Sequence, residues 1–260
     1  MQETTTLNAL ILCRARNLIT EYGWPSHTDV DQRDPENRHG WINIYVRLDA
    51  SDIVNLLPLL CPGDVPEQIQ RAVKKIAGTK AQIIVSGGRY SSVPQWPGED
   101  TAVTFPWAGE WLNESEIKAV INCLSSSIQE ISRQVLVDSR HIKAALTTRS
   151  ETLFRRQTRN FSLVVKETDM PCWMDEDDEK LQAVLDAIIE KGARFSSVEC
   201  FVVSEKVDQI LSSGVMCDVL RIPGEHPRKW IDLTVVRDTI KEARAEITSI
   251  RSALIPMKPD

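Results

Sequence analysis

The sequence predicts an α+β protein, a tandem pseudo-repeat of β-α-β-β-α units with two long amphipathic helices, preceded by an N-terminal helix. Three observations carry that prediction. Short runs alternate apolar and polar residues while longer runs repeat apolar residues every three or four positions, so strands and helices interleave. Two of the helical stripes are long, one starting near Asn113 and one near Asp232. Those two stripes, with the residues that lead into them, align at one constant offset of 119 residues.

The elements follow in order. Leu7, Leu10, Ile11, Ala15, Leu18 and Ile19 form one stripe, predicting a helix over 4–22 that Gly23-Trp24-Pro25 ends. A polar connection runs on to Gly40, and Ile42, Ile44 and Val46 alternate in a strand over Trp41–Leu48. Residues 51–77 predict two helical pieces broken at Pro58 and at Cys61-Pro62-Gly63. Ala81–Ser86 and Thr101–Phe105 predict strands joined by a Gly- and Pro-rich loop. A long helix then carries Ile117, Ile121, Leu124, Ile128, Ile131, Val135, Ile142 and Ala145 in a coiled-coil-like seam. Unbroken over 114–146, it would span about 50 Å at about 1.5 Å per residue. In the second half Phe161–Lys166, Ser197–Ser204 and Met216–Ile222 predict strands, and Asp175–Lys191 and Asp232–Leu254 predict helices.

The offset pairs Trp111 with Trp230, Leu112 with Ile231, Asn113 with Asp232, Ile117 with Val236, and Ile42, Ile44 and Val46 with Phe161, Leu163 and Val165. Asn113 and Asp232 are good N-cap residues, because their side-chain oxygens accept first-turn N–H bonds. Glu116 follows Asn113 at capping-box spacing, and Leu112/Ile117 and Ile231/Val236 have the spacing of a hydrophobic staple. The chain therefore divides into an N-terminal helix and loop (1–40), a first unit (41–146) and a second unit (147–260), expected to pack as one pseudo-twofold domain. The first copy has the element order of a type I KH domain. The turn Leu60–Val65 lacks the GxxG loop with which such domains clamp a nucleic-acid backbone, so that family is not assigned.

Composition narrows the function classes. A net charge of −6 and a pI near 5.4 argue against a whole-surface nucleic-acid binder and against a polybasic membrane attachment. The six cysteines form no CxxC and stand at no zinc-ligand spacing, the N-terminus lacks a signal peptide pattern, and no apolar run is long enough for a membrane span. A cytoplasmic setting is the expectation. The loop His27–His39 combines two His and four carboxylates, but Arg33 and Arg38 interrupt them, so no metal is expected there and no cofactor elsewhere. No nucleophile elbow or phosphate-binding loop is present, and the sequence leaves open whether the protein is an enzyme.

Two residue sets remain as binding candidates. Arg89, Tyr90, Trp96 and Trp107 belong to the long loop and its exit, where they would line a ligand or partner site between the two units. Arg149, Arg155, Arg156 and Arg159 concentrate positive charge in 140–159, read as the charged end of the long helix. They would either hold the acidic run Asp175–Glu179 or contact a partner, with Phe154 placed to stack on a base. The leading expectation is a non-enzymatic interaction or assembly module, acting as a subunit of a protein complex or oligomer. A small-ligand-binding or catalytic protein is the alternative, and an accessory nucleic-acid binder the third reading.

Overall fold

The computed structural model describes residues 3–32, 42–61, 63–87, 102–170 and 178–254. Two compact units make up the chain, 7–141 and 142–260, with residues 1–6 grouped with the second. Both are mixed α+β, and both carry one strand more than the alternation of the sequence predicts.

The first unit contains α1 (Glu3–Glu21), β1 (Asp29–Gln32), β2 (Ile42–Leu48), α2 (Ala50–Leu59), α3 (Glu67–Ile76), β3 (Ile83–Ser86), β4 (Ala102–Thr104) and most of α4 (Glu114–Leu146). Its sheet has the order β1-β2-β3-β4, every pair antiparallel. The second contains β5 (Thr152–Gln157), β6 (Phe161–Thr168), α5 (Asp178–Lys191), β7 (Arg194–Ser204), β8 (Gln209–Arg221) and α6 (Leu233–Leu254), with the sheet order β5-β6-β7-β8, again antiparallel throughout. The repeated unit is thus β-β-α-β-β-α. Each extra strand is an edge strand whose sequence hides it. β1 has a single apolar residue, Val30, and buries Gln32 beside it. In β5 a register shift between Thr152 and Phe154 lets the adjacent Leu153 and Phe154 both pack on the core, which destroys the period of two.

The backbone bonds of the turn that enters each long helix repeat in the two copies. A 3₁₀ turn at Ala108–Glu110 and another at Pro227–Lys229 precede them. Leu112 N donates to Ala108 O at 2.9 Å, and Ile231 N to Pro227 O at 2.9 Å. Trp111 N and Trp230 N donate to the same two carbonyls at 3.1 and 3.2 Å. Asn113 Oδ1 accepts from Glu116 N at 2.9 Å while Glu116 Oε2 accepts from Asn113 N at 3.0 Å, a closed capping box. Asp232 Oδ1 instead accepts from Thr234 N at 2.7 Å, so the second copy has the cap without the box.

Between β2 and β3 the helical break falls at Leu60–Pro66, and Pro58 stays inside the last turn of α2. The first core gathers Ile42, Ile44, Val46 and Leu48 of β2, Ile53, Leu56 and Leu57 of α2, Ile69 and Ile76 of α3, and the apolar stripes of α1 and α4. Burying each such side chain contributes about 1.5–3 kcal/mol before ordering costs. α1 is tied to α4 by Arg14 Nε on Asp138 Oδ2 at 2.7 Å, and Trp24, just past α1, donates from Nε1 to Ser127 Oγ at 3.1 Å.

The second core is smaller: Val165, Val198, Cys200, Met216 and Val219, with Leu153, Phe154, Leu163, Trp230, Ile231, Val235 and Val236 against it. α6 lies directly on β8 at Gly214. A Cβ there would sit 2.5 Å from Thr239 Oγ1 and 3.0 Å from Val235 Cγ1, and Ser212 Oγ donates to Thr239 O at 2.7 Å. The close approach explains why a glycine stands mid-strand.

Candidate functional site

The second unit holds a buried ionic cluster that no local motif announces. Glu167 on β6 has a fully buried side chain. Arg221, the last residue of β8, pairs with it, and Arg194, the first of β7, reaches it at 3.1 Å. Ser196 Oγ donates to the same carboxylate at 3.2 Å and Arg149 N at 2.6 Å. Burial alone would push the Glu167 carboxyl up. The Arg149 N–H and the two guanidinium groups outweigh that and hold it below the usual carboxylate range. Arg194 also donates to Thr147 O at 2.7 Å, so the cluster clips the segment after α4 onto the sheet. Arg221 lies 6.0 Å from the ring centre of Trp230. The tryptophan of the repeat signature thus closes one side of the cluster, in which Arg194 Nε and Arg221 Nε are buried without a hydrogen-bond partner among the described residues.

The arginine segment is distributed differently from the sequence reading. α4 ends at Leu146, Arg149 lies in the connection after it, Arg155 and Arg156 belong to β5, and Arg159 sits in the β5–β6 turn. A strand sends neighbouring side chains to opposite faces, so Arg155 and Arg156 cannot share one. Arg155 Nη2 bonds Glu205 Oε1 at 3.1 Å, and Gln157 Nε2 bonds Glu205 Oε2 at 2.8 Å. Arg149 Nη1 stands 4.0 Å from Glu151. Among the described residues no ion pair involves Arg156 or Arg159. Phe154 is half-buried and packs against the core cluster. Asp175 to Asp177 of the acidic run lie outside the described residues.

Of the loop residues, Arg89, Tyr90 and Trp96 lie outside the described residues, as do 33–39 of the His27–His39 loop. Trp107 takes a left-handed φ of 59° just before the 3₁₀ turn, with 77% of its surface exposed. Asp29 Oδ1 accepts from Val30 N at 2.9 Å, Asp31 Oδ1 from Asn43 Nδ2 at 2.8 Å, and His27 Nε2 stands 3.2 Å from Arg47 O. Of these bonds, the one from Asn43 to Asp31 joins β1 to β2. An open depression of about 590 Å³ lies between the start of α2 and residues 77–82, but the Asp49 carboxylate at its edge is committed to Asp52 N at 2.9 Å.

Comparison with known families gives two adjoining matches, the N-terminal domain of YubG over residues 4–142 and the C-terminal domain of YubG over 151–257. The chain belongs to the YubG family. The stretch between the two YubG domain matches holds the end of α4 and the connection that Arg194 and Glu167 clip down. No solved structure matches the chain.

The remaining surface feature belongs to α6. Its apolar positions Val236, Ile240, Ala243, Ile247 and Ile250 follow steps of four and three, as in α4. In α4 the stripe positions Leu124, Ile128, Ile131, Val135 and Ile142 are buried, while Ile117 and Ile121 near its start are half-buried like Val236 and Ile240 of α6. In α6 the buried positions are Thr239 and Ala243, where the helix crosses β8, while Ile240 and Ile247 are half-buried and Ile250 is 38% exposed. Leu233 of α6, Val207 and Ile210 of the β7–β8 hairpin and Met170 after β6 are also exposed. The sequence pattern showed the α6 stripe but not that it lies open, because periodicity reports a face and not what covers it. No helix among the described residues is long and apolar enough to cross a membrane.

Proposed function

We propose that this protein is a non-enzymatic interaction module of the cytoplasm that assembles through the open apolar stripe of α6, with a second copy of the chain as its occupant. The observation that supports this reading most is the contrast at matching positions between Ile128 and Ile131 of α4, which are buried, and Ile247 and Ile250 of α6, which are half-buried and 38% exposed. An isolated apolar seam on a helix is a docking surface for another helix. The flanking charges favour self-pairing. With Ile240 and Ile247 at a and Ile250 at d, and Ala243 turned to the sheet, Glu246 falls at g and Arg251 at the following e. A parallel pair of α6 helices sets Glu246 of one copy against Arg251 of the other. An antiparallel pair would oppose Arg244 and Arg251 to arginines.

The test is charge reversal, with mass in solution measured across a concentration series. Glu246→Arg or Arg251→Glu alone should weaken self-association, and the two together in one chain should restore it. A chain that stays monomeric at high concentration, or singles that behave like the wild type, would remove the self-pairing reading.

A further inference from the structure

We propose that Cys61 and Cys123 form a reversible dithiol–disulfide pair that staples the end of α2 to the middle of α4 within the first unit. Cys61 follows the C-cap residue Leu60, Cys123 lies on α4, and both are free thiols with partly exposed side chains. Their sulfurs stand 3.8 Å apart although the residues are 62 positions apart in the chain. Two sulfurs in contact across such a separation need a shift of under 2 Å to reach bonding distance of about 2.05 Å. Cys61 can supply it, since it stands in a bend outside the helix.

The chemistry also has a direction. Burial, and after it the neighbouring Cys61 sulfur, pushes the Cys123 thiol up to about 12, so Cys123 is a poor first nucleophile. Cys61 as thiolate attacks a small-molecule disulfide such as oxidised glutathione, releasing one glutathione thiolate and leaving a mixed disulfide. That step removes the charge of Cys61, one of the causes that hold the Cys123 proton on. Cys123 then loses its proton to solvent, attacks the Cys61 sulfur and releases the second glutathione. Two protein thiols are oxidised and one external disulfide is reduced. Cys200 is buried in the second core, and Cys217 is an exposed thiol of β8.

The experiment uses the full wild-type chain, incubated with oxidised glutathione, alkylated and digested with trypsin. The expected product lacks two hydrogens and yields peptide 48–71 linked to peptide 119–133, reversible with dithiothreitol. Oxidation should raise the melting temperature by roughly 5 °C or more, since the closed loop is long. Cys123→Ser should stop at a lasting glutathione adduct on Cys61, and Cys61→Ser should leave Cys123 unmodified. The proposal is overturned if wild-type chain keeps both thiols alkylatable, or if it accumulates the Cys61 adduct as the Cys123→Ser chain does. The wild-type result decides without any variant having to fold.

Discussion

α4 and α6 are two answers to one construction problem. Each follows a 3₁₀ turn, a tryptophan, an apolar staple residue and an N-cap, and each carries an apolar stripe with steps of three and four. α4 is closed over: Arg14 of α1 reaches Asp138, Trp24 reaches Ser127, and Lys75 of α3 holds Glu116 at 2.7 Å. The second copy has no element corresponding to α1 among its described residues, and one helix, α5, where the first has α2 and α3. α6 is held by the sheet near Thr239 and Ala243 and left open towards Ile250. Duplication repeats the sheet and the helix entrance. What covers the helix is decided separately in each copy.

The largest effect should come from placing one charge on each stripe. Ile128→Glu puts a carboxylate where the side chain is 1% exposed, and should cost about 4 kcal/mol or more, unfolding the first unit in a urea titration. Ile250→Glu should change stability by no more than about 0.5 kcal/mol. Equal losses at both positions would mean that α6 is as closed as α4.

Next comes the ionic cluster, in which one buried carboxylate meets two guanidinium groups, where the buried Glu116 of the first copy meets the single ammonium of Lys75. Glu167→Gln leaves Arg194 and Arg221 facing a neutral amide and should destabilise the second unit by about 3 kcal/mol. The acid response follows from the same group. Its folded-state carboxyl titrates below the unfolded value, so its stabilisation is complete above the unfolded value and is lost as pH falls through the folded one. Near-neutral melts should be flat in pH. Below about pH 4 the wild type should lose stability more steeply than Glu167→Gln.

A smaller effect distinguishes the helix entrances. Asn113→Ala removes one side of a closed capping box and should cost about 1 kcal/mol, whereas Asp232→Ala removes a single bond and should cost about 0.5 kcal/mol. Hydrogen exchange at the first turn of each helix checks the order.

The repeat was legible because its signature is local: Trp111/Trp230, the staple and the cap act within a few residues, and their offset survives into the hydrogen bonds. The edge strands were not legible. Val30 has no apolar neighbour on its strand, and the irregularity at Thr152–Phe154 turns Leu153 and Phe154 the same way. The Glu167 cluster was invisible for a different reason. Its members stand 27 and 54 positions apart in the chain and meet only when β6, β7 and β8 are paired. The same holds for Cys61 and Cys123, which the sequence presents as unrelated thiols. Of the arginine segment, composition gave the charge but not the strand, and the alternation of Arg155 and Arg156 is what divides it.

The proposed assembly is tested most directly by sedimentation equilibrium of the full chain beside Ile247→Glu/Ile250→Glu. The wild type should show a concentration-dependent mass above that of one chain. The double variant should sediment as a monomer with its far-UV spectrum retained. A wild type that remains a single chain at every concentration, or a double variant that associates as the wild type does, would contradict the assignment of α6 as the docking surface.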